Sequence, residues 1–513
     1  MIKKNIFDNL YVLDIANNHF GNLQHGKNII NAFSKIIKRH KINATFKFQF
    51  RNLDTFISKS AAKSNNAYID RFLSTKLTDE NYYKLMRLIK KNKILTSCTP
   101  FDEESVTKIE KMKFDIIKIA SVSANEWPLL ERVSKNKIPK IISTGGLSLE
   151  EIDEIVSFFR HRNNQFALMH CVSIYPTKND DLQLNVIKDL KKRYKDITIG
   201  WSTHESPDQI LPGPLAYACG ARMFEKHINI KSKKYSINKY SIEPEQYNLW
   251  LEEILNSEKM LGNTKKTIKK EELVTLDKLK RGIFAKSNIK ANDIISSDNT
   301  YFAFPKIANQ LSSGNINRKV KLIAKKDIKT DDAIFKKSIK KPINSKLVLI
   351  KKNIHEVKAI LNYNNINIGK KFEMEISHHY GIEKFRKIGC FLFNCINREY
   401  AKKVIVMLPN QKHPLHLHRR KEETFQILSG KLISYLNDKK YILNPGDSLL
   451  VKPNTWHKFQ SDKNGCIFEE VSTTHYNNDS IYKDKKINNT KREIRKTIVN
   501  RWGRFELSKK FDD

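Results

Sequence analysis

The chain has 513 residues, 40% of them apolar, and carries a formal net charge of +39. That length exceeds one ordinary domain and calls for two or three, each with its own core. No apolar run reaches the length of a membrane span and no secretory-type leader opens the chain, so a soluble, cytoplasmic protein without a membrane partner is expected. The 94 lysines and arginines are spread along the whole chain rather than gathered in one stripe, and no zinc-finger spacing or RNA-binding sheet motif occurs. The charge therefore reads as a Lys-rich bias on solvated faces. It favours an anionic small substrate and gives no reason to expect nucleic acid.

Eight apolar strand-like runs follow one another in the first 260 residues. They are Tyr11–Ile15, Thr45–Phe50, Ile94–Thr99, Ile116–Ala120, Pro139–Ser143, Phe166–Cys171, Ile197–Gly200 and Arg222–His227. Helical patterns such as Asp79–Lys91 and Leu149–Phe159 lie between them. Eight β-then-α units in about 230 residues is the count and length of a TIM (β/α)8 barrel. Runs that are apolar throughout, rather than alternating, suit a parallel sheet covered by helices.

In such a barrel the strand ends meet at one mouth. They carry Asp14; Lys47 and Gln49; Thr99; Lys118 and Ser121; Ser143; His170, Ser173 and Tyr175; Ser202 and His204; Glu225 and His227. A lysine inside an apolar strand, as in FKFQF and IIKIAS, is costly unless it meets an anion. Two such lysines among several hydroxyls describe a phosphate or carboxylate cradle, whereas either alone would read as a snorkelling edge residue. His204 and His227, on consecutive strand ends, are placed to share one divalent metal. The six cysteines form no CxxC pair and sit mostly in apolar runs, which suits free thiols in a reducing compartment.

The motifs DIANNHFGN, KFQF, TPFDEESV, IIKIAS, ISTGG, HCVSIYPT, GWSTHES and FEKH occur in the order and spacing of the N-acetylneuraminate (sialic acid) synthase family, which the chain resembles. The resemblance implies condensation of phosphoenolpyruvate with the open-chain aldehyde of an amino sugar, helped by a divalent metal, Mn or Mg. It implies that Lys47, Thr99, Lys118, Ser121, Ser143 and Ser202 hold phosphoenolpyruvate, that His204 and His227 hold the metal, and that Gln49 and Tyr175 contact the sugar. Lys47, Gln49, Lys118 and Tyr175 are taken as the catalytic set, with Asp14 and Ser173 beside the substrate. Three positions depart from the family pattern. Ser123 stands for a glutamate, Ile237 for an aspartate and Phe304 for an arginine, all on the expected sugar side. Glu126 is the nearest carboxylate that could take the missing glutamate's place.

Residues 275–340 carry two units of an apolar strand, an Ile-Lys-x-x-Asp turn and an Ile, about 40 residues apart, which predicts a small β-rich domain. It resembles the antifreeze-like SAF domain of the same family, which implies a homodimer with this domain capping the partner barrel. The barrel domain is then bounded at 1–265.

In residues 346–482, HLHRRKEETFQILSG and LNPGDSLLVKPNTWHKF resemble the two motifs of the cupin superfamily, a β jelly roll. Alternation puts His416 and His418 on one face, to meet Glu423 and His457. Three imidazoles and a carboxylate suit Mn, Fe, Ni or Zn with open positions for a ligand. Downstream, Glu469, Glu470 and His475 resemble the proton-shuttling segment of sugar-isomerase-type cupins. A basic tail, 483–513, offers Trp502 and Phe505 as docking points. The expected function is synthesis of a sialic-acid-like nonulosonate, fused to a sugar-active or sugar-binding metal cupin. The other expectation is a sugar-sensing or carrier protein that keeps both pockets without turnover.

Overall fold

The structure is a computed structural model, which describes residues 5–61, 66–264, 266–316, 321–340, 346–369, 372–500 and 502. Phe505 lies outside them. The chain divides into two units, Met1–Lys266 and Thr267–Asp513.

The first unit is a closed parallel barrel of eight strands in sequence order. They are β1 (Leu10–Asp14), β2 (Asn43–Phe50), β3 (Leu95–Pro100), β4 (Ile116–Ile119), β5 (Lys140–Ser143), β6 (Phe166–Cys171), β7 (Ile199–Thr203) and β8 (Met223–His227). Helices alternate with the strands, and several begin on side-chain caps. Asn22 accepts from the His25 amide to start Leu23–His40, Thr78 starts Asp79–Lys91, and Ser148 with Glu151 forms a capping box for Leu149–His161. Their apolar faces pack on the outward residues of the strands, with Ile29, Phe33, Leu85, Ile155 and Trp250 all buried. Inside the barrel, Leu10, Val12, Ile116, Ile141, Met169 and Met223 form a separate apolar layer beneath the cleft.

Strand β7 begins later and ends further on than expected, spanning Ile199 to Thr203 rather than Ile197 to Gly200. Its polar end looked like loop, but Ser202 and Thr203 pair in register with Glu225 and Lys226 of β8. Gly200 is required within it, because a Cβ there would stand 2.7 Å from the Met223 Cβ. Next to this strand, Lys226 is buried on Glu205 at 2.7 Å, a paired charge inside the protein rather than on its face.

In the second unit, residues 282–340 form a small domain from β9 (Gly282–Ala285), β10 (Ile294–Ile295), β11 (Thr300–Ala303) and β12 (Leu322–Ile323). β9 pairs with β11 and β10 with β12, both antiparallel. The repeat is visible in its hydrogen bonds. Asp293 accepts from the Lys290 amide at 3.0 Å and Asp332 from the Lys329 amide at 3.1 Å, while Ile289 and Ile328 bridge one another.

The remaining strands are β13 (Glu373–Ser377), β14 (Cys390–Asn397), β15 (Tyr400–Met407), β16 (Lys412–His418), β17 (Glu423–Leu436), β18 (Lys439–Leu443), β19 (Ser448–Val451), β20 (His457–Thr473), β21 (Ser480–Tyr482) and β22 (Lys496–Val499). They form one curved antiparallel sheet in the order β18-β17-β20-β15-β14-β13-β22, with β16, β19 and β21 attached at its side. The fold is the expected cupin. Its sheet runs past residue 482 into the stretch expected as a basic tail, because β22 pairs with β13 and Trp502 packs on Phe393 while donating to the Gly369 carbonyl. Among the described residues all six cysteines are free, four of them buried, and no helix is long and apolar enough to cross a membrane.

Candidate functional site

Barrel register assembles the first site. Pairing sets Asp14 of β1 beside Lys47 of β2 on one side and His227 of β8 on the other, and sets Ser202 beside Glu225. The C-terminal strand ends enclose a cleft of about 640 Å³. Asp14, Lys47, Gln49, Thr99, Lys118, Ser121, Ser143, Ser173, Tyr175, Ser202, His204 and His227, all expected at the mouth, line it.

One residue without an assigned role ties these groups together. Glu225 accepts from Lys47 at 3.0 Å, from Lys118 at 2.7 Å and from the Ser202 hydroxyl at 3.1 Å. Burial alone would raise its pKa, but Lys118 and Lys47 overcome this and hold it well below the carboxylate range. Burial works against the charge on Lys47, yet Asp14 and Glu225 raise it above an ordinary lysine. On Lys118 burial wins over Glu225 and lowers the ammonium. Asp14 touches Lys47 at 3.0 Å; burial raises its carboxyl and the Lys47 ammonium opposes that shift. The serines are held close by Gly145: a Cβ there would meet both the Ser121 and Ser173 hydroxyls at 2.7 Å. The Thr99 hydroxyl is buried in this wall without a partner.

The two barrel histidines have the chemistry of metal ligands. Burial is the main cause that lowers both imidazoles to about 3, so each keeps a lone pair at neutral pH. His204 Nδ1 lies 3.0 Å from the Val172 carbonyl, which leaves Nε2 for the cleft, and the two rings stand 5.4 Å apart. His227 Nδ1 and Asp14 Oδ2 are 3.3 Å apart, and neither makes a well-aligned hydrogen bond despite burial. Among the described residues no third protein group joins the pair closely enough to form a cluster, so further positions would be open to water and substrate.

Around the mouth, Arg51 stacks over Phe101 at 3.6 Å and Phe72 at 4.2 Å, and Tyr68, Arg71, Val122 and Tyr240 complete the wall. The three positions that depart from the family pattern do not meet on this cleft. Ser123 is buried in a short 3-10 turn behind Val122, Ile237 lines a neighbouring hollow with Pro176 and Asn238, and Phe304 is exposed in the other unit. Glu126 is solvent-exposed and does not line the cleft. His170 is a structural residue, bonded to the Leu182 carbonyl at 2.9 Å.

The second site lies in the cupin. His416 is the register partner of His457, and a bulge between His413 and His416 turns His416 and His418 to the buried face. His416, His418, Glu423 and His457 are all buried and offer ligand atoms within 4.8 Å of one another, the one such group among the described residues. His457 Nε2 and Glu423 Oε1 face each other at 2.9 Å without a well-aligned hydrogen bond, which is the state of atoms shaped to meet an ion. Burial depresses His416 well below an ordinary histidine and His418 to about 4, so both offer lone pairs. The residues present therefore fit a transition-metal ion. Glu470 and His475 line the same cavity, whereas Glu469 turns outward to Lys402 at 3.0 Å. The sequence reading missed Lys403, Lys421 and His413, which are buried in its wall, and His379, whose Nε2 lies 3.2 Å from that of His413.

Known proteins share both halves of this arrangement. The NeuB family model matches residues 36–266, and the Cupin domain model matches residues 403–468. An uncharacterized protein of Methanocaldococcus jannaschii is 34% identical over 322 residues, covering 62% of this chain and 90% of its own. The N-acetylneuraminate-9-phosphate synthase of Drosophila melanogaster is 30% identical over 254 residues, covering 48% of this chain and 67% of its own. The solved structure of a spore coat polysaccharide biosynthesis protein E from Chromobacterium violaceum is 40% identical, with a TM-score of 0.63, covering 65% of this chain and 99% of its own. With its cleft built on the ends of eight parallel strands and a cupin domain following in the same chain, this protein belongs to the NeuB family.

Proposed function

We propose that the barrel condenses phosphoenolpyruvate with the open-chain aldehyde of a hexosamine-type sugar, giving a sialic-acid-like nonulosonate and phosphate. The observation that carries this is the Lys47–Glu225–Lys118 bridge, buried in the same cleft as His204 and His227. Lys47 and Lys118 would hold the phosphate and carboxylate, with Thr99, Ser121, Ser143 and Ser202 donating to the remaining oxygens. The enol C3 bonds to the aldehyde carbon, water adds to C2, and phosphate leaves to give the 2-keto acid. Asp14, 3.0 Å from Lys47 in the wall of the cleft, is the carboxylate placed to take the proton that the water gives up as it adds to C2. A divalent ion at His204 and His227 would supply Lewis acidity toward the aldehyde oxygen.

Gln49, Tyr175 and the Arg51–Phe101 stack would face the acceptor. Residues 275–340 are read as the SAF-like cap of a homodimer, with Phe304 (62% exposed) where the resembled family places its arginine. Aromatic and aliphatic groups at the cleft and cap suit an acceptor with a deoxy carbon or an extra acyl group. Phosphate release is the measurement, with Mn, phosphoenolpyruvate and a panel of hexosamines. Deoxygenated or doubly acylated sugars should exceed N-acetylmannosamine in kcat/KM by about 10–100-fold, the discrimination a few apolar contacts can supply. A preference for N-acetylmannosamine would overturn the acceptor assignment. No release with any sugar would leave the sensing or carrier reading in place of a synthase.

A further inference from the structure

Beside the two barrel histidines stands a ring that has no role so far. Tyr240 lines the cleft, with its ring centroid 5.1 Å from that of His227, 6.2 Å from that of His204 and 5.2 Å from that of Tyr175. Tyr175 in turn lies 4.2 Å from His204. The histidine pair is therefore flanked by two tyrosines at the mouth.

Backbone pairing places the Tyr240 ring. After β8 the chain loops out and returns alongside its own end: the Ile242 amide donates to the His227 carbonyl at 2.9 Å, and the Asn229 amide to the Ile242 carbonyl at 3.1 Å. Tyr240, two residues before Ile242, is thereby set against His227. Asn238 holds the turn, its side-chain oxygen accepting from the Tyr240 amide at 3.2 Å and from the Ser241 amide at 2.8 Å. Asn238 Nδ2 donates to Asn18 Oδ1 at 3.3 Å, and the buried Asn18 donates to the Ile228 carbonyl at 2.9 Å and the Ser241 hydroxyl at 3.0 Å. Further out, Tyr235 stacks on Phe20 at 4.5 Å. A ring on a loop tied at these points keeps its place, as a selectivity wall must. The same loop carries Ile237, which faces the neighbouring hollow, so what it presents to the cleft is an aromatic ring and no carboxylate.

In the proposed reaction the acceptor's aldehyde lies at His204 and His227, and a hexosamine carries its nitrogen on the carbon next to that aldehyde. A ring packed beside both imidazoles is then within reach of the group on that nitrogen. A short acyl chain suits it, because a methyl packs on aromatic carbon and has no hydrogen bond to lose. A longer chain would run into the ring. We propose that Tyr240 is a specificity-determining residue that packs on the acyl group at C2 of the acceptor and limits its length, with Asn238 as its positioning residue. The aldehyde's place rests on the barrel reaction proposed above; the ring's place rests on the loop alone.

The test uses the full chain loaded with Mn, with N-acetylmannosamine and N-pentanoylmannosamine as probes. Binding is read by calorimetry without phosphoenolpyruvate, so that no turnover occurs, and kcat/KM is read with it. The unsubstituted protein should bind the acetyl sugar about tenfold more tightly than the pentanoyl sugar, the scale on which a pocket rejects extra methylenes. Tyr240→Ala should tighten binding of the pentanoyl sugar by about tenfold and so abolish the preference, a gain that general damage does not produce. Tyr240→Phe keeps the ring and should keep the preference. Asn238→Ala, outside the cleft, gives a second variant should Tyr240→Ala fail to fold, and should move the preference in the same direction. Sugar held by the cupin is common to every variant, so a changed preference belongs to the barrel. A parent indifferent to acyl length, a preference unmoved by both alanine substitutions, or equal weakening of both sugars would overturn the proposal. Binding in the expected order without phosphate release would remove the synthase reading and leave the size limit standing, whereas release indifferent to acyl length would do the reverse.

Discussion

Lys118→Met should lower kcat/KM for phosphoenolpyruvate by about 10²–10³-fold, the cost of removing one preorganised donor from a developing charge. Lys118 reaches Glu225 at 2.7 Å and the Met169 sulfur at 3.4 Å, so its stem is packed while its ammonium faces the cleft. Methionine keeps that stem and removes the charge. Glu225 retains Lys47 at 3.0 Å and Ser202 at 3.1 Å, so the substitution does not strand a buried carboxylate. The loss should therefore appear in steady-state kinetics while the thermal transition of the protein changes little. A variant that binds and turns over phosphoenolpyruvate like the parent would remove Lys118 from the cradle.

His204→Ala combined with His227→Ala has the larger expected effect, a fall of at least about 10³-fold in turnover with Mn present. Both imidazoles are neutral through burial and both face one cleft, and no other described residues there form a metal-ligating group. The cupin group is separate, so bound Mn should fall by about one ion per chain rather than to zero. Elemental analysis of the two proteins reads this directly. Turnover at the parental rate, or an unchanged metal content, would refute the assignment.

Much of the barrel was legible because its strands are apolar over their whole length, the pattern of a sheet covered on both sides. Strand β7 was cut short because Ser202 and Thr203 look like loop, whereas they form the inner and outer wall of the barrel end. Glu225 received no role for a related reason. In MFEKH it reads as one more polar residue near a strand tip, although its spacing of two from His227 places both on the same inner face. The four cupin ligands were found from motif spacing, and they converge. Lys403 and Lys421 were hidden by composition: among 94 Lys and Arg, two buried ones carry no local mark. Lys403 lies opposite its partner Glu470 across β15 and β20, and Lys421 reaches the same carboxylate from just before β17, contacts that exist only once the sheet is assembled. Ser123 was expected on the sugar side because the resembled family carries a glutamate at that position, but the 3-10 turn there exposes Val122 to the cleft and buries Ser123.

The central claim is that the barrel joins C3 of phosphoenolpyruvate to an aldehyde and releases phosphate from C2. The fate of a labelled bridging oxygen tests this most directly. Phosphoenolpyruvate carrying ¹⁸O between C2 and phosphorus is incubated with the protein, Mn and the preferred acceptor, and both products are read by mass spectrometry. Addition of water at C2 followed by departure of phosphate breaks the C–O bond, so the label should leave in inorganic phosphate and the sugar acid should carry none. Label retained in the organic product would mean cleavage at phosphorus, phosphate released without a new carbon–carbon bond would mean hydrolysis alone, and either result would contradict the reaction assigned to Lys47, Lys118 and Glu225.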